Sequence, residues 1–532
     1  MAFAVVSMPE SHSNQGLSRR SALSRLIIGG MAALAAACAA PAPSGAPIPV
    51  ASVAAGQPRS GGTLRVGVLG DLLGLDGHLT TGLDSLRRVW DVVSLLDDKL
   101  NTVPVLAASV NLTPDARQMT VKLRPGVQFH TGRELTSADV AWNFNRLKDP
   151  KVNPIYANLV KPFAAIETPD TSTLRVQFDA PNPFVVDALP NLSMIDPASF
   201  EHYGASKPVG TGPFTFVEYV QGDHLTLAKN PNYWDTGKPF LDQLQVRIFT
   251  DPQAMMTELE AGTLDLALQP TLNDWVRAQK DGRFQVLINQ NSGNYLGAAF
   301  NTTQPPTDNT LIRQALQFAL DRQRIVDTLW QGVEKPLTLL WFPTSPAYDA
   351  AKNATYAFNL DQARARLAQA NASNIALDFN YPSVSPDFGR VGQIWQADLD
   401  KIGVRLTLRP TDPVALTASM QRQQYNGIAV GTGFYGQLHG GVVWTSPYFG
   451  PVNNYAGFSD DTYTQLTLAV YSEADASKRR PIYDAWNDFI LEKTPVTAIS
   501  TQLPRAVARP NVRGMVYSIG GNYLDLTSAW LA

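Results

Sequence analysis

The residues Gly431-Thr432-Gly433-Phe434-Tyr435-Gly436 satisfy Gly-x-Gly-x-x-Gly, a spacing that lets backbone approach a pyrophosphate. Ile428-Ala429-Val430 before them are strand-like, which is half of the context that chemistry needs. The run after them, QLHGGVVWTSP, carries Gly440, Gly441 and Pro447 and no helical stripe. A phosphate cradle needs a helix N-terminus at that point, so the dinucleotide reading fails on context. The 6 histidines form no His-x-His or His-Glu-x-x-His, and the single cysteine, Cys38, allows neither a Cys-based metal cluster nor an intramolecular disulfide. No Gly-x-Ser-x-Gly and no Ser-x-x-Lys occurs, which removes the usual serine acyl-transfer signatures. What the stretch does offer is Phe434, Tyr435, His439 and Trp444. Flat faces with a few polar tips suit an apolar or aromatic ligand, or a sugar-like one stacked on a ring. The same rings could instead pack on one another in a glycine-rich loop.

The rest of the chain must supply a frame for such a surface. At 532 residues it exceeds one ordinary domain, and its 44% apolar content is ample for large cores. A net charge of −3 with 17% charged residues argues against a nucleic-acid binder. Residues 118–150 show the local grammar best. Met119, Val121 and Leu123 alternate with polar residues as a half-buried strand, and Pro125-Gly126 supplies a turn. Val127 and Phe129 resume the alternation, so the pattern predicts a hairpin. Thr136-Ser137-Ala138-Asp139 has capping-box spacing, Val140, Phe144 and Leu147 fall on one helix face, and Asp149-Pro150 ends the helix. Leu86, Val89, Trp90, Val93 and Leu96 predict a second helical stripe, with Trp90 in the core; Trp395, with Val391 and Leu399 at i±4, is read as core too.

Taken as a string, KLRPGVQFHTGRELTSADVAWNFNRL resembles the signature of the peptide/nickel-type solute-binding proteins, family 5, of ABC importers. Leu75-Asp76-Gly77-His78 resembles that family's Leu-Asp-Pro-His, with glycine in place of proline. Gly210-Thr211-Gly212-Pro213-Phe214, Asn230-Pro231-Asn232-Tyr233-Trp234 and residues 258–265 match further family elements, as do residues 295–306 and 312–326. The glycines at 210 and 212 are read as permitting a tight turn. The resemblance covers residues 60–532. It implies an α/β, two-lobed periplasmic-binding-protein type II fold with three structural domains, a hinge and an inter-lobe cleft. The expected divisions are 61–97, 205–297 and 500–532 for domain I, 98–204 for domain II and 298–499 for domain III.

The function implied is binding without catalysis: capture of a peptide or similar small solute in the cleft and delivery to ABC permease subunits with their cytoplasmic ATPase. No cofactor and no metal are expected, and the chain is expected to be a monomer. Leu75, His78, Tyr295, Phe434, Tyr435, His439 and Trp444 are the expected ligand-binding residues, with Asp76, Arg87 and Arg88 as charges near the junction. In peptide-binding members the third-domain run carries an acid that pairs with the ligand's amine. Residues 429–446 here hold no Asp or Glu. Either another carboxylate serves, or the ligand is a sugar, opine, aromatic or metal chelate rather than a free peptide.

The N-terminus reads as an address. Residues 18–24 resemble a twin-arginine export signal, and the apolar run 26–37 is shorter than the ~20 residues that span a bilayer. Leu34-Ala35-Ala36-Ala37-Cys38 resembles a lipobox, which would make Cys38 the lipid-bearing first residue of a periplasmic or outer-face, membrane-anchored protein. Residues 38–60 read as a flexible tether.

Overall fold

The computed structural model describes residues 57–532 except 73, 80–82, 155, 434–445, 447–449, 451–453 and 520–522. Two large sheets and one smaller one organise them. The first is seven-stranded, in the order Gln285–Ile288, Arg505–Ala508, Leu266–Leu268, Thr63–Leu69, Gln243–Phe249, His224–Lys229, Phe214–Val220. Its central strand, Thr63–Leu69, runs parallel to both neighbours and buries Leu64 and Val66. Pairs of strands made parallel in this way need crossover connections. One is the helix Pro252–Ala261, N-capped by Asp251 and stopped by Gly262 at φ 83°.

The second sheet has five strands in the order Val404–Thr411, Ile375–Pro382, Ile428–Gly433, Tyr295–Phe300, Val496–Thr501. Helices Thr310–Phe318, Arg322–Trp330, Leu360–Gln369 and Pro386–Leu399 supply residues to its core, where Trp395 is fully buried. The matched run 312–326 spans two helices, and Ile312, Ala315, Leu316, Ala319 and Leu320 in it are all buried. The helix breaks at residues 319–321 because Asp321 caps a new one, accepting from the Arg324 amide.

The third sheet has four strands, Ala107–Leu112, Gln118–Leu123, Thr173–Phe178 and Phe163–Asp170. It corrects the hairpin expectation. Gln118–Leu123 pairs with Ala107–Leu112 and Thr173–Phe178, not with the residues after Pro125-Gly126. Val127 and Phe129 are buried beside a single bridge, Gln128 to Glu134. Both non-local strands offer a full row of partners, whereas the short return strand offers only that bridge. Helix Ser137–Lys148 forms as its cap predicts, with the Asp139 carboxylate accepting from the Thr136 amide and hydroxyl, each at 2.8 Å. The stripe around Trp90 is also corrected. A 3-10 helix ends at Val89, and Ser94–Leu96 is a strand.

Among the described residues two chain segments link the first sheet to the second, residues 289–294 going out and 502–504 coming back. They run side by side. The Asn289 amide donates to the Pro504 carbonyl, the Gln502 amide to the Asn294 carbonyl, and the Ser292 hydroxyl to the Gln502 carbonyl. The strands they connect are hydrogen-bonded neighbours in both sheets. The result is one continuous antiparallel ribbon joining two lobes.

Candidate functional site

The sequence motifs converge on the joint within the first lobe. Asp76 and His78 lie on the loop after strand Thr63–Leu69, and helix Ser137–Lys148 brings Arg146 to them. The Arg146 guanidinium bonds both Asp76 oxygens, at 2.6 and 3.1 Å, and His78 Nδ1 at 2.8 Å. Because Nδ1 accepts from arginine, the imidazole proton sits on Nε2 and donates to the Ser193 carbonyl at 3.0 Å. Burial, with Arg146 nearby, pushes the ring down to about 4, against the carbonyl and Asp76, which pull it up. His78 is therefore neutral, 1% exposed and engaged at both nitrogens.

A second joint gathers three of the matched strings. Asp91 accepts from Trp234 Nε1 at 2.9 Å, and from the Tyr233 and Thr211 hydroxyls at 3.2 Å each. His130, from the long signature, donates through Nε2 to the Gly212 carbonyl at 3.0 Å, and its amide donates to the Gly210 carbonyl. The glycines at 210 and 212 differ from their expected role. A Cβ on them would stand 2.3 Å from the Val89 carbonyl oxygen and 2.4 Å from that of Arg88. What demands glycine there is close approach of two backbones, not a left-handed turn.

The surfaces that face each other across the lobes come from elsewhere in the chain. From the first lobe, Phe184 and Asp187 lie at and just after the start of the short helix Val185–Ala188. Within that lobe Arg87 donates to the Pro190 carbonyl, and the Arg87 and buried Arg88 guanidinium carbons lie 5.2 and 5.3 Å from the Tyr523 ring centre, so the charges expected near the junction are engaged inside the first lobe. From the second lobe, Arg479 opens helix Arg479–Lys493, with Tyr483 one turn on. The Arg479 guanidinium carbon lies 4.6 Å from the Phe184 ring centre, so the two lobes touch here. Its nitrogens are oriented by the Glu473 and Ala474 carbonyls. Burial raises the Asp187 carboxyl well above the carboxylate range, and the Arg479 charge opposes it. Burial also pushes Tyr483 up to about 12, with Arg479 lowering and Asp187 raising it. Nothing local in the sequence singles out Arg479, Asp187 or Phe184, because they meet only through tertiary contact.

Of the seven expected ligand-binding residues three lie among the described ones, each in a different setting. Leu75 is half-buried and lines a narrow crevice with Trp90, Ile195 and Phe200 in the first lobe. His78 sits in the arginine-carboxylate cluster described above. Tyr295 is 2% exposed at the start of the outgoing strand, its ring packed over Gly297 in a second-lobe core with Leu337 and Trp341. Phe434, Tyr435, His439 and Trp444 lie outside the described residues, as do Cys38, the export-signal and lipobox segments and Gly436 of the glycine motif. Among the described residues no cluster of His, Cys, Asp or Glu could hold a metal ion, and no helix is long and apolar enough to cross a membrane.

The family model for bacterial extracellular solute-binding proteins, family 5 middle, matches residues 101–451. Heme-binding protein A of Haemophilus influenzae is 28% identical over 457 residues, covering 78% of this chain and 82% of that protein. Glutathione-binding protein GsiB of Escherichia coli is 26% identical over 420 residues, covering 75% of this chain and 80% of that one. The solved structure of the periplasmic binding protein AgaA of A. tumefaciens R10, in complex with agropinic acid, superimposes with a TM-score of 0.76. It is 26% identical and covers 88% of this chain and 99% of AgaA. The fold is thus the mixed α/β, multi-domain type II fold of periplasmic binding proteins. Proteins of this class are extracytoplasmic binding components of ABC importers, which work with permease and ATPase subunits and are not enzymes. The chain belongs to the bacterial extracellular solute-binding proteins, family 5.

Proposed function

We propose that this protein captures a small solute between its lobes outside the cytoplasmic membrane and hands it, unaltered, to the permease of an ABC importer. The observation that carries the reading is the pair of crossing segments, 289–294 and 502–504, beyond which Arg479 of one lobe meets Phe184 of the other. Two lobes joined by so narrow a ribbon can rotate about it, and a ligand that contacts both stabilises the closed arrangement. In this proposal Cys38 carries the lipid anchor, the protein acts as a monomer, and the three-domain division expected from the sequence holds.

The ligand class is a peptide or a similar small solute. Relatives named for heme, glutathione and peptide, and the agropinic acid complex, span that range. A second reading, a non-peptide solute, is favoured by one observation. Residues 429–446 hold no acid, and at the described lobe junction the carboxyl is Asp187, whose burial favours its neutral form. A free α-ammonium entering there must first ionise it. In this reading Phe434, Tyr435, His439 and Trp444 supply the rings and polar tips on which the solute stacks, and Leu75, His78 and Tyr295 complete the proposed ligand-binding set.

The test is a thermal-shift and native-mass screen of the full chain against dipeptides, glutathione, opines, sugars and aromatic acids. A ligand at 100 times its dissociation constant stabilises by about 2.7 kcal/mol. Aromatic or sugar-like solutes are expected to shift the melting point more than free dipeptides. A large shift with dipeptides alone refutes the second reading, and recovery of a chemically altered solute refutes binding without turnover.

A further inference from the structure

Residues 331–335 form a strap between helix Arg322–Trp330 of the second lobe and the ribbon. At its start Gln331 Nε2 donates to Asn273 Oδ1 on a first-lobe helix at 2.9 Å. Val333 packs into a first-lobe cluster that includes Trp275, Met255 and Val507. At its end Lys335 exchanges two bonds with Thr501, and Pro336 bridges Ser500. The strap is thus a non-covalent third tie between the lobes, lying where the returning segment crosses.

Glu334 is its centre. The carboxylate is fully buried and accepts from three consecutive parts of the returning chain. The Thr501 hydroxyl donates at 2.7 Å, the Leu503 amide at 3.0 and 3.2 Å, and the Arg505 guanidinium at 3.1 Å. Thr501 ends a second-lobe strand and Arg505 begins a first-lobe one. One carboxyl group therefore spans the hinge.

We infer that Glu334 is the positioning residue of the hinge, and that by holding Thr501, Leu503 and Arg505 in one arrangement it makes the balance between open and closed lobes depend on its own protonation. This rests on the reading in which lobe closure traps the solute. Rotation about residues 502–504 must move Leu503 and Arg505 relative to the strap, so opening loosens the clamp and admits water. In the clamped form burial raises the carboxyl to about 7, and Arg505, Thr501 and Leu503 only partly offset that rise. Arg505 is the charged group that faces it from the neighbouring strand; Lys335 follows it on the strap itself. A hydrated carboxyl returns toward about 4.3. The closed form then binds the proton more tightly than the open one. Closure is favoured in acid, and the closing equilibrium falls by up to about tenfold per pH unit toward pH 7 and levels off above it.

Small-angle scattering of the full chain without solute, from pH 5.5 to 8.5, tests this. It is read together with hydrogen exchange at the Leu503 amide. The wild type is expected to expand, and the Leu503 amide to lose protection relative to its intrinsic exchange rate, as pH rises toward 7, with no further change above it. Glu334→Gln keeps a neutral acceptor and is expected to stay compact across the range. Glu334→Ala is expected to be expanded throughout. A wild-type profile that does not change with pH overturns the inference without need of any variant, and so does a Glu334→Gln profile that follows the wild type. The solute screen separates the two claims. Binding with pH-independent scattering refutes the hinge inference alone, and pH-dependent scattering with no solute bound refutes the import reading alone.

Discussion

Asp91 offers a direct measurement of which force rules the first-lobe joint. Three donors converge on its carboxyl, and hydrogen bonds to an ionised carboxylate lower its pKa. Burial does the opposite, and here it is the larger effect. The group is 8% exposed and is raised from its ordinary 3.8 to about 7, with Trp234, Tyr233 and Thr211 opposing and Asp525 adding to the rise. A rise of this size means that burying the ionised form costs roughly 4 kcal/mol. The folded protein therefore holds more protons than the unfolded chain between those values. The stabilising contribution is complete below 3.8 and is lost as pH climbs through 7. Between pH 5 and pH 8 the loss from this one group is roughly 2.5 kcal/mol.

Asp91→Asn removes the titration but keeps the bonding. The amide oxygen can accept from Trp234 and Thr211, and the amide nitrogen can donate to the Tyr233 oxygen. Urea unfolding of both proteins at pH 5 and pH 8 should show the variant gaining roughly 2.5 kcal/mol on the wild type between the two, with unchanged slope. Asp91→Ala is the control, since it strips partners from three buried donors and should destabilise at both pH values by about 1–3 kcal/mol for each group left unmade. A variant that loses ground at pH 8 would refute the reasoning, because it would mean that the three donors outweigh burial and the carboxylate is ionised throughout.

Four further outcomes are expected. Arg146→Leu leaves Asp76 buried without its cation and should cost about 3–5 kcal/mol in denaturant unfolding, and a loss under 1 kcal/mol would contradict the buried pair. Gly212→Ala drives a Cβ to within 2.4 Å of backbone oxygen and should destabilise by about 1–3 kcal/mol or more, whereas a gain would mean that glycine entropy, not approach, governs the site. His78 and His130, both lowered to about 4 by burial, contribute stability that is present above the usual 6.5 and lost toward 4; with 6 histidines in the chain, carbon-labelled imidazole signals should show two such titrations, and His224, raised beside Asp223 and Glu218, titrating above 6.5. Arg479→Ala removes the cation from the Phe184 ring, worth about 0.5–1 kcal/mol, and should weaken binding of a solute found by the screen two- to fivefold in a titration; unchanged affinity would refute a role for this contact in closure.

Much of the first lobe was legible because its motifs are local in sequence and complete in their chemistry. Thr136 and Asp139 announce a helix start that needs no distant partner. The strand Gln118–Leu123 was legible as a strand but not as to its neighbours, since alternation reports a buried face and says nothing about which edge fills each side. Val93 and Leu96 satisfied a helical period while lying beyond a 3-10 turn and in a strand. The junction residues were illegible for a different reason. Arg479 and Phe184 are separated by most of the second lobe, and a lone arginine at a helix start has many uses.

The contrast between the two kinds of joint bears on how the protein works. Contacts within the first lobe, between the seven-stranded and the four-stranded sheet regions, are made of buried polar clusters: Asp76 with Arg146 and His78, Asp91 with Trp234, Tyr233 and Thr211, His130 with the Gly210 and Gly212 backbone. Breaking one leaves charge or donors stranded away from water, so these joints hold as a unit. Between the lobes the described contacts include a cation over a ring, a cluster of Phe342, Leu503 and Ile519, one hydrogen bond from Gln331 to Asn273 and the packing of Val333, which tolerate separation and hydration far better. A carrier that must close on a solute and reopen needs that asymmetry: one rigid half, and a meeting surface weak enough that the solute decides its state. The exception is the clamp at Glu334, a buried polar cluster placed on the hinge itself. A tie of that strength at a moving part is tolerable only if something can loosen it, and a carboxyl held near neutrality is loosened by the loss of one proton.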